Sequence, residues 1–313
     1  MIIVGLLVYV RQQLIRLVLV IFGLITVTFF LTRLVTDPVA LALGASASEE
    51  QRRVMSHSLG MDRPVLTQFV DYLGGLFQGD LGASLWLGTP SLDIILERIP
   101  ASLVLAVAGF PLAIVLGLVL GILGGTRPGS FVDRFTTSLS ALTMAVPDFW
   151  LGLVFVIIFA VNLSWFPTGG YHGPGQVEYL VLPAVTIALL PAGRLARIVR
   201  ESVAEEMGKA YVLTARARGL TTEAILRKHV LKNIVAASGT VVGYDFLLLF
   251  TGSVATVEVI YGWPGLGRLA VEATLHQDVI LMSSLVIVTG AIVGIGNIVL
   301  DMVITAVDRR VTG

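Results

Sequence analysis

Apolar residues along this chain fall in long unbroken blocks rather than alternating or recurring at short spacing. Six blocks approach or exceed the roughly 20 residues that a helix needs to cross a bilayer. They cover about 14–35, 101–125, 136–161, 179–195, 234–257 and 281–307. The fourth is the shortest and holds Pro183 and Pro191, which predicts a kink. Between the first two blocks lies a longer polar stretch, 36–100, with helical patterning at "SEEQRRVMSHSLG" and "LTQFVDYLGGLF". Ser48 ahead of Glu49 and Glu50 is placed to cap the first of these helices. The expected architecture is an all-α integral membrane protein with six transmembrane helices. It has a first helix within 1–35, a long ordered loop at 36–100 and a five-helix core at 101–313, with a long charged loop at about 197–233.

Composition supports this. Of 313 residues, 56% are hydrophobic and only 13% charged, about half the charged share of a soluble domain, and mean hydropathy is +0.90. Net charge is zero, which gives no general attraction to nucleic acid. The chain has no cysteine, hence no disulfide, thiolate metal site or Cys nucleophile. The apolar run 17–31 is long for a secretory signal core. Arg33 and Asp37 also separate it from the small-residue sites near Ala42 and Ala47, so the first span is expected to be retained.

Basic residues set the orientation. With the N-terminus inside, the inner segments hold 15 of the 21 Lys and Arg residues, nine of them between Arg194 and Lys232. The outer stretch 36–100 has eight acidic residues against four basic ones. Six spans then place both termini in the cytoplasm.

The charged loop "KAYVLTARARGLTTEAILRKHVLKN" (209–233) is therefore expected to be cytoplasmic. Gly219 divides it: a helix ends there in a left-handed cap, and a second begins with Thr221 or Thr222 as N-cap and Glu223 in its first turn. Two readings follow. The pair of helices lies on anionic headgroups, or the first helix docks into a cytoplasmic partner, for which Ala210, Ala215 and Ala217 permit close approach.

The motif "YVLTARARGL…ILRKHVLKN" resembles the coupling motif of permease subunits of ABC importers, in the dipeptide/oligopeptide/nickel branch. So do "LGMDRPVLTQFVDYLGGLFQGDLGASL" with "ERIPASL", "VPDFWLGL", "VEVIYGWPGLGRLAVEA" and the terminal "NIVLDMVITAVDRR". The likeness runs in order over nearly the whole chain. Three departures stand out. Leu213-Thr214-Ala215 replaces the motif's Glu-Ala-Ala, Ala237 replaces a proline, and Asp308-Arg309-Arg310 replaces Asp-Pro-Arg. The resemblance implies a type I importer permease. It implies a heterodimer with a second homologous permease, two cytoplasmic ABC ATPases and an extracytoplasmic substrate-binding protein, with peptides as the expected substrate class. Tyr211, Thr214, Ala215, Arg216, Ala217, Gly219 and Leu220 would couple to the ATPases. No Gly-x-x-x-x-Gly-Lys-Ser/Thr sequence occurs, so this subunit would borrow ATP hydrolysis rather than perform it. No catalytic residue, metal site or cofactor is expected.

Polar residues in apolar blocks are costly and each has two readings. Asp148 follows Pro147 and either bonds locally at a broken helix or faces a pathway. Asp245 sits midway along the fifth block, with Tyr244 or another helix to hold it, or lines a pathway. Asn297 and Asp301 lie one helical turn apart. In the loop after the fifth block, Tyr261 and Trp263 suit an interfacial belt. Glu258, Trp263, Pro264, Gly265 and Arg268 together are alternatively an outer gate, as the resemblance implies.

Rival classes make different demands. An intramembrane aspartyl protease could use Asp245 and Asp301, but "GIGN" puts Asn297 where its second acid belongs. A secondary transporter or channel would not need the long loop, and the two halves show no inverted repeat. The four histidines are scattered through expected loops, without metal-ligand spacing.

Overall fold

Apolar blocks in a bilayer have no water to satisfy their backbone, so they must become helices. The computed structural model meets that demand and describes residues 2–35, 39, 43, 48–58, 60–171, 173, 175–248 and 254–307. Among the described residues the β pairing is limited to an isolated bridge between Ala83 and Pro90. The chain divides into two units. One comprises Met1–Pro100 and Gly265–Ile298, the other Ala101–Pro264 and Val299–Gly313.

The first unit opens with α1 (Ile2–Val35). Helix α2 (Glu49–Ser58) follows, and Ser48 caps it as expected. The Ser48 hydroxyl accepts from Gln51 N–H at 3.3 Å while Gln51 Oε1 accepts from Ser48 N–H at 2.9 Å, a reciprocal capping box. Helix α3 (Val65–Phe77) sets Phe69, Tyr72, Leu73 and Leu76 against Ile21 and Ile25 of α1. The segment after it turns back on itself, with Ser84 N–H bonded to Thr89 O and Ser91 N–H to Gly82 O, both at 2.9 Å. Helix α4 (Ser91–Thr126) then begins ten residues before the expected span and crosses into the second unit. Helices α12 (Leu266–Leu275) and α13 (Val279–Val307) complete the set. Their Leu269, Ala273, Leu281 and Leu285 bury Ile94 and Ile95 of α4.

The second unit is organised on α7 (Val177–Met207). Around it lie the rest of α4, α5 (Phe131–Ala145), α6 (Asp148–Phe155, continued by wider π-type turns over Val156–Asn162), α10 (Leu231–Leu248) and α11 (Val254–Ile260). Small residues recur every fourth position on α4, at Gly109, Ala113, Gly117, Gly121 and Gly125, and meet α7. A methyl group at Gly121 would lie 2.6 Å from Val199 Cβ, and one at Gly125 would lie 2.6 Å from the Arg200 carbonyl oxygen. That is backbone-level approach of the kind small residues permit between membrane helices.

Helix lengths depart from the hydropathy pattern. Among the described residues four helices are long and apolar enough to cross a membrane: 11–33, 91–126, 177–207 and 279–302. A fifth is reached if α5 and α6 are one span, and these meet at 104°. The expected third span therefore breaks, and Pro147 explains it: it forces extended backbone on Val146 and starts α6 afresh. The expected fifth span falls on α10 and α11, with 249–253 outside the described residues. Pro183 and Pro191, by contrast, do not end α7, which runs 31 residues.

Candidate coupling site and buried polar contacts

Helix α7 carries the chain into the charged loop as far as Met207, so Glu205 and Glu206 belong to it. After Gly208 comes the short α8 (Ala210–Ala217). Its end is a Schellman motif: Gly219 has φ +81°, its N–H bonds Arg216 O at 2.9 Å, and Leu220 N–H bonds Ala215 O at 3.1 Å. Thr221 then caps α9 (Thr222–Ile225), accepting from Ala224 N–H at 3.3 Å, and π-type turns over Leu226–Val230 lead into α10.

Packing decides which face of this loop is free. Val212 and Ala215 of α8, with Ile225, Val230 and Ile234, close onto Val199, Val203 and Met207 of α7. The apolar face that would have rested on headgroups is thus spent inside the unit. Glu206 fastens the arrangement. It accepts from Tyr211 Oη at 2.6 Å and Asn233 Nδ2 at 3.1 Å, and it pairs with Lys209. Burial, then the bond to Glu206, pushes the Tyr211 hydroxyl up to about 12, so it stays a donor at neutral pH.

The outward surface of α8 is Leu213 (61% exposed), Thr214, Arg216 and Ala217, followed by Arg218 and Gly219. Leu220 is half-buried. Beside it runs an open groove of about 540 Å³, with Tyr211, Ala215 and Leu220 along one arm and Lys228, Lys232 and Asn233 along the other. Seven residues singled out from the sequence are therefore brought together, but on two surfaces. Thr214, Arg216, Ala217 and Gly219 stand proud, while Tyr211, Ala215 and Leu220 are recessed. Leu213, the most exposed apolar side chain of the element, was missed because its position stood out only as a departure from the motif.

Each pathway candidate has its own setting. Asp245 is buried and pairs with Arg194 of α7. Its holding group is thus an arginine 51 residues away and not Tyr244, which is exposed. An ion-paired Asp245 also does not form the shared-proton carboxylate dyad of an aspartyl protease. A second bridge escaped the sequence reading: Arg200 of α7 grips Asp133 of α5 through two bonds of 2.7 and 2.9 Å. Asp148 is half-buried at the first turn of α6, where a helix N-terminus favours a carboxylate. On α13, Asn297 is exposed and Asp301 half-buried.

The loop after α11 corrects an expectation. Tyr261 and Trp263 are not interfacial anchors; both are almost wholly buried in the second unit's core. Trp263 donates its indole N–H to Ala101 O at 2.8 Å, and Tyr261 donates to Gly152 O at 3.2 Å. Glu258 is fully buried and accepts from Ser102 Oγ at 2.7 Å. Glu258, Trp263 and Pro264 belong to this unit, whereas Gly265 and Arg268 fall in the other, where Arg268 pairs with Glu272 at 2.7 Å. His57 and His229 lie on helical turns rather than in loops, and His172 lies outside the described residues. A further buried acid, Asp278, accepts from Ser84 Oγ and, at 3.1 Å, Trp86 N–H, and caps α13 through Leu281 N–H at 3.0 Å.

This arrangement, a bundle of apolar helices with a charged, helix-bearing loop folded back on α7, matches a known fold. A chain of the MetNI methionine ABC transporter, solved in inward-facing conformations, superposes with a TM-score of 0.58 at 18% identity, over 69% of this chain and 97% of that one. Residues 113–313 match the model for binding-protein-dependent transport system inner membrane components, and residues 6–106 match the model for the N-terminal part of such membrane components. The chain belongs to this family of membrane permeases. A Brucella abortus (strain 2308) permease named for a peptide transport system is 37% identical over 290 residues, covering 91% of this chain and 92% of that one. The oligopeptide transport system permease protein AppB of Bacillus subtilis (strain 168) is 31% identical over 283 residues, covering 88% and 89%.

Proposed function

We propose that this chain is one half of the transmembrane pathway of an ATP-driven peptide importer in a bacterial inner membrane. Peptides are the substrate class because relatives aligned over about nine-tenths of the chain are named for peptide or oligopeptide transport. In this reading six spans leave both termini cytoplasmic. A second homologous permease completes the pathway, two ATPases dock from the cytoplasm, and an external binding protein delivers the peptide. The chain moves substrate and catalyses no reaction itself.

The observation that carries the coupling role is the outward face of α8. A short helix braced on α7 by Val212, Ala215 and Glu206 presents Leu213, Thr214, Arg216 and Ala217 to a partner. Force applied there passes directly into α7, which also holds α5 through Asp133 and α10 through Asp245. Glu258, Trp263, Pro264, Gly265 and Arg268 retain the role of an outer gate, while Asp148, Asp245, Asn297 and Asp301 remain pathway candidates.

Co-purification from membranes tests the reading. The tagged permease should bring down ATPase subunits, and the reconstituted complex should show ATPase activity stimulated by peptide-loaded binding protein. Leu213→Glu should abolish that stimulation while leaving the permease folded. Normal stimulation in Leu213→Glu would reject α8 as the coupling surface, and absence of any ATPase partner would reject the importer assignment.

A further inference from the structure

Helix α3 is amphipathic in a way that its protein contacts do not exhaust. On a helical wheel Phe69, Tyr72, Leu73 and Leu76 adjoin Leu66, Val70 and Phe77, giving one continuous apolar sector. The first four pack on α1 and its neighbours. The other three are left open, at 73%, 64% and 92% exposure. Thr67 and Asp71 take the opposite side, where Asp71 pairs with Arg63 at 3.2 Å.

The depth of this helix can be read from α1. The uncharged stretch of α1 that follows Arg16 is closed by Arg33, whose Nε donates to Gln68 Oε1 at 2.8 Å. The ring of Phe69 lies 5.5 Å from that of Phe30 and 6.3 Å from that of Phe22. Phe22 stands eleven residues before Arg33, about 16 Å along the helix axis. Ile21 and Ile25 share the same cluster. Helix α3 therefore sits beside the apolar length of a span, not above its charged end. The face of α1 next to it is itself apolar and open at Val18, Leu19 and Phe22.

We propose that α3 is a lipid-facing helix, embedded beside α1, that inserts Leu66, Val70 and Phe77 among the acyl chains of the leaflet at the Arg33 end of α1. Given the orientation proposed above, this is the outer leaflet. The occupant is lipid because the open sector continues the exposed apolar surface of a bilayer span. The polar sector, with its Arg63–Asp71 pair, points the other way, as the polar side of an amphipathic membrane helix does.

The absence of native cysteine makes the test direct. Single cysteines at Leu66, Val70, Phe77, Thr67 and Asp71 are spin-labelled in the assembled transporter, with partner-subunit cysteines replaced, in nanodiscs of phosphatidylethanolamine and phosphatidylglycerol. Collision with oxygen is compared with collision with a water-soluble nickel chelate. The oxygen-to-nickel ratio should be several-fold higher at 66, 70 and 77 than at 67 and 71. Nickel access at all five sites would place α3 in water and overturn the proposal. Protection of 66, 70 and 77 from both reagents would overturn it in favour of a protein cover. The three apolar sites are largely exposed, so cysteine there removes little packing, and size-exclusion elution with the partner subunits verifies assembly of each variant.

Discussion

Asp245 on α10 is 4% exposed and is held by the guanidinium of Arg194 on α7. Taking away one member of such a pair leaves a charge with no water and no partner. Arg194→Gln should therefore destabilise the protein by about 3 kcal/mol, somewhat less because Arg194 itself is a third exposed. Adding Asp245→Asn should recover much of the loss. Detergent-solution unfolding of the two single variants and the double variant measures the coupling, and strictly additive losses would show that the pair contributes nothing as a unit.

Trp263 fills the second unit's core and bonds the Ala101 carbonyl. Trp263→Ala should cost about 3–5 kcal/mol through the cavity it opens. Trp263→Phe should cost less and isolates the lost indole N–H. If the loop also seals the pathway, Trp263→Phe reconstituted in liposomes will leak small solutes at a stability close to the parent's. Tight vesicles would confine Trp263 to packing.

Gly219 occupies the left-handed region that closes α8. Gly219→Ala should cost about 1 kcal/mol, Gly219→Asn less, and Gly219→Pro should remove the N–H that bonds Arg216 and release the helix end. Peptide-stimulated ATPase should fall least in Gly219→Asn, further in Gly219→Ala and furthest in Gly219→Pro, against unchanged stimulation if the turn is only a connector.

The Tyr211 hydroxyl is raised from its ordinary value of 10 to about 12. The folded state thus holds this proton more tightly than the unfolded chain does. Its stabilising contribution is complete below pH 10 and is lost as pH climbs through about 12. Tyr211→Phe should flatten that part of the stability profile relative to the parent, as followed by unfolding midpoints across the alkaline range. Identical slopes would show that the hydroxyl is not linked to folding.

Gly121 has no room for a side chain beside Val199. Gly121→Val should cost about 1–3 kcal/mol by overpacking. Gly23→Ala, with nothing within 4 Å of the added methyl, should be neutral. Thermal midpoints of the two variants, compared directly, test the contact.

Local chemistry is legible in the chain itself. Gly219 and Thr221 announce one helix end and the next helix start, Ser48 announces α2, and Pro147 marks the break in the expected third span. Each of these acts within a few residues of itself. What depended on distant partners was not legible. Nothing near Asp245 in sequence points to Arg194, and nothing in "IYGWPG" tells a buried tryptophan from an interfacial one. For α7, Arg194 and Arg200 mark the edge of the apolar block but not the end of the helix, which runs on to Met207, and each arginine finds its acid on another helix.

The small residues of α4 recur with a period of four, which has a mechanical meaning. Four residues carry the surface about 6 Å along the helix axis and round it by about 40°, so the next position is reached only by sliding and turning together. The stripe is also uneven, since Ala113 meets Ala188 and Ala192, whereas a methyl group at Gly109 or Gly117 would strike Ile187 or Leu195. Steric fit therefore favours one alignment, and a second set of contacts holds the same one. Thr136 Oγ1 on α5 donates to Leu120 O of α4, and Asp133 on the same helix clasps Arg200 of α7. Helix α5 thereby ties the two helices together, and a displacement of either along its axis would have to break one of these bonds.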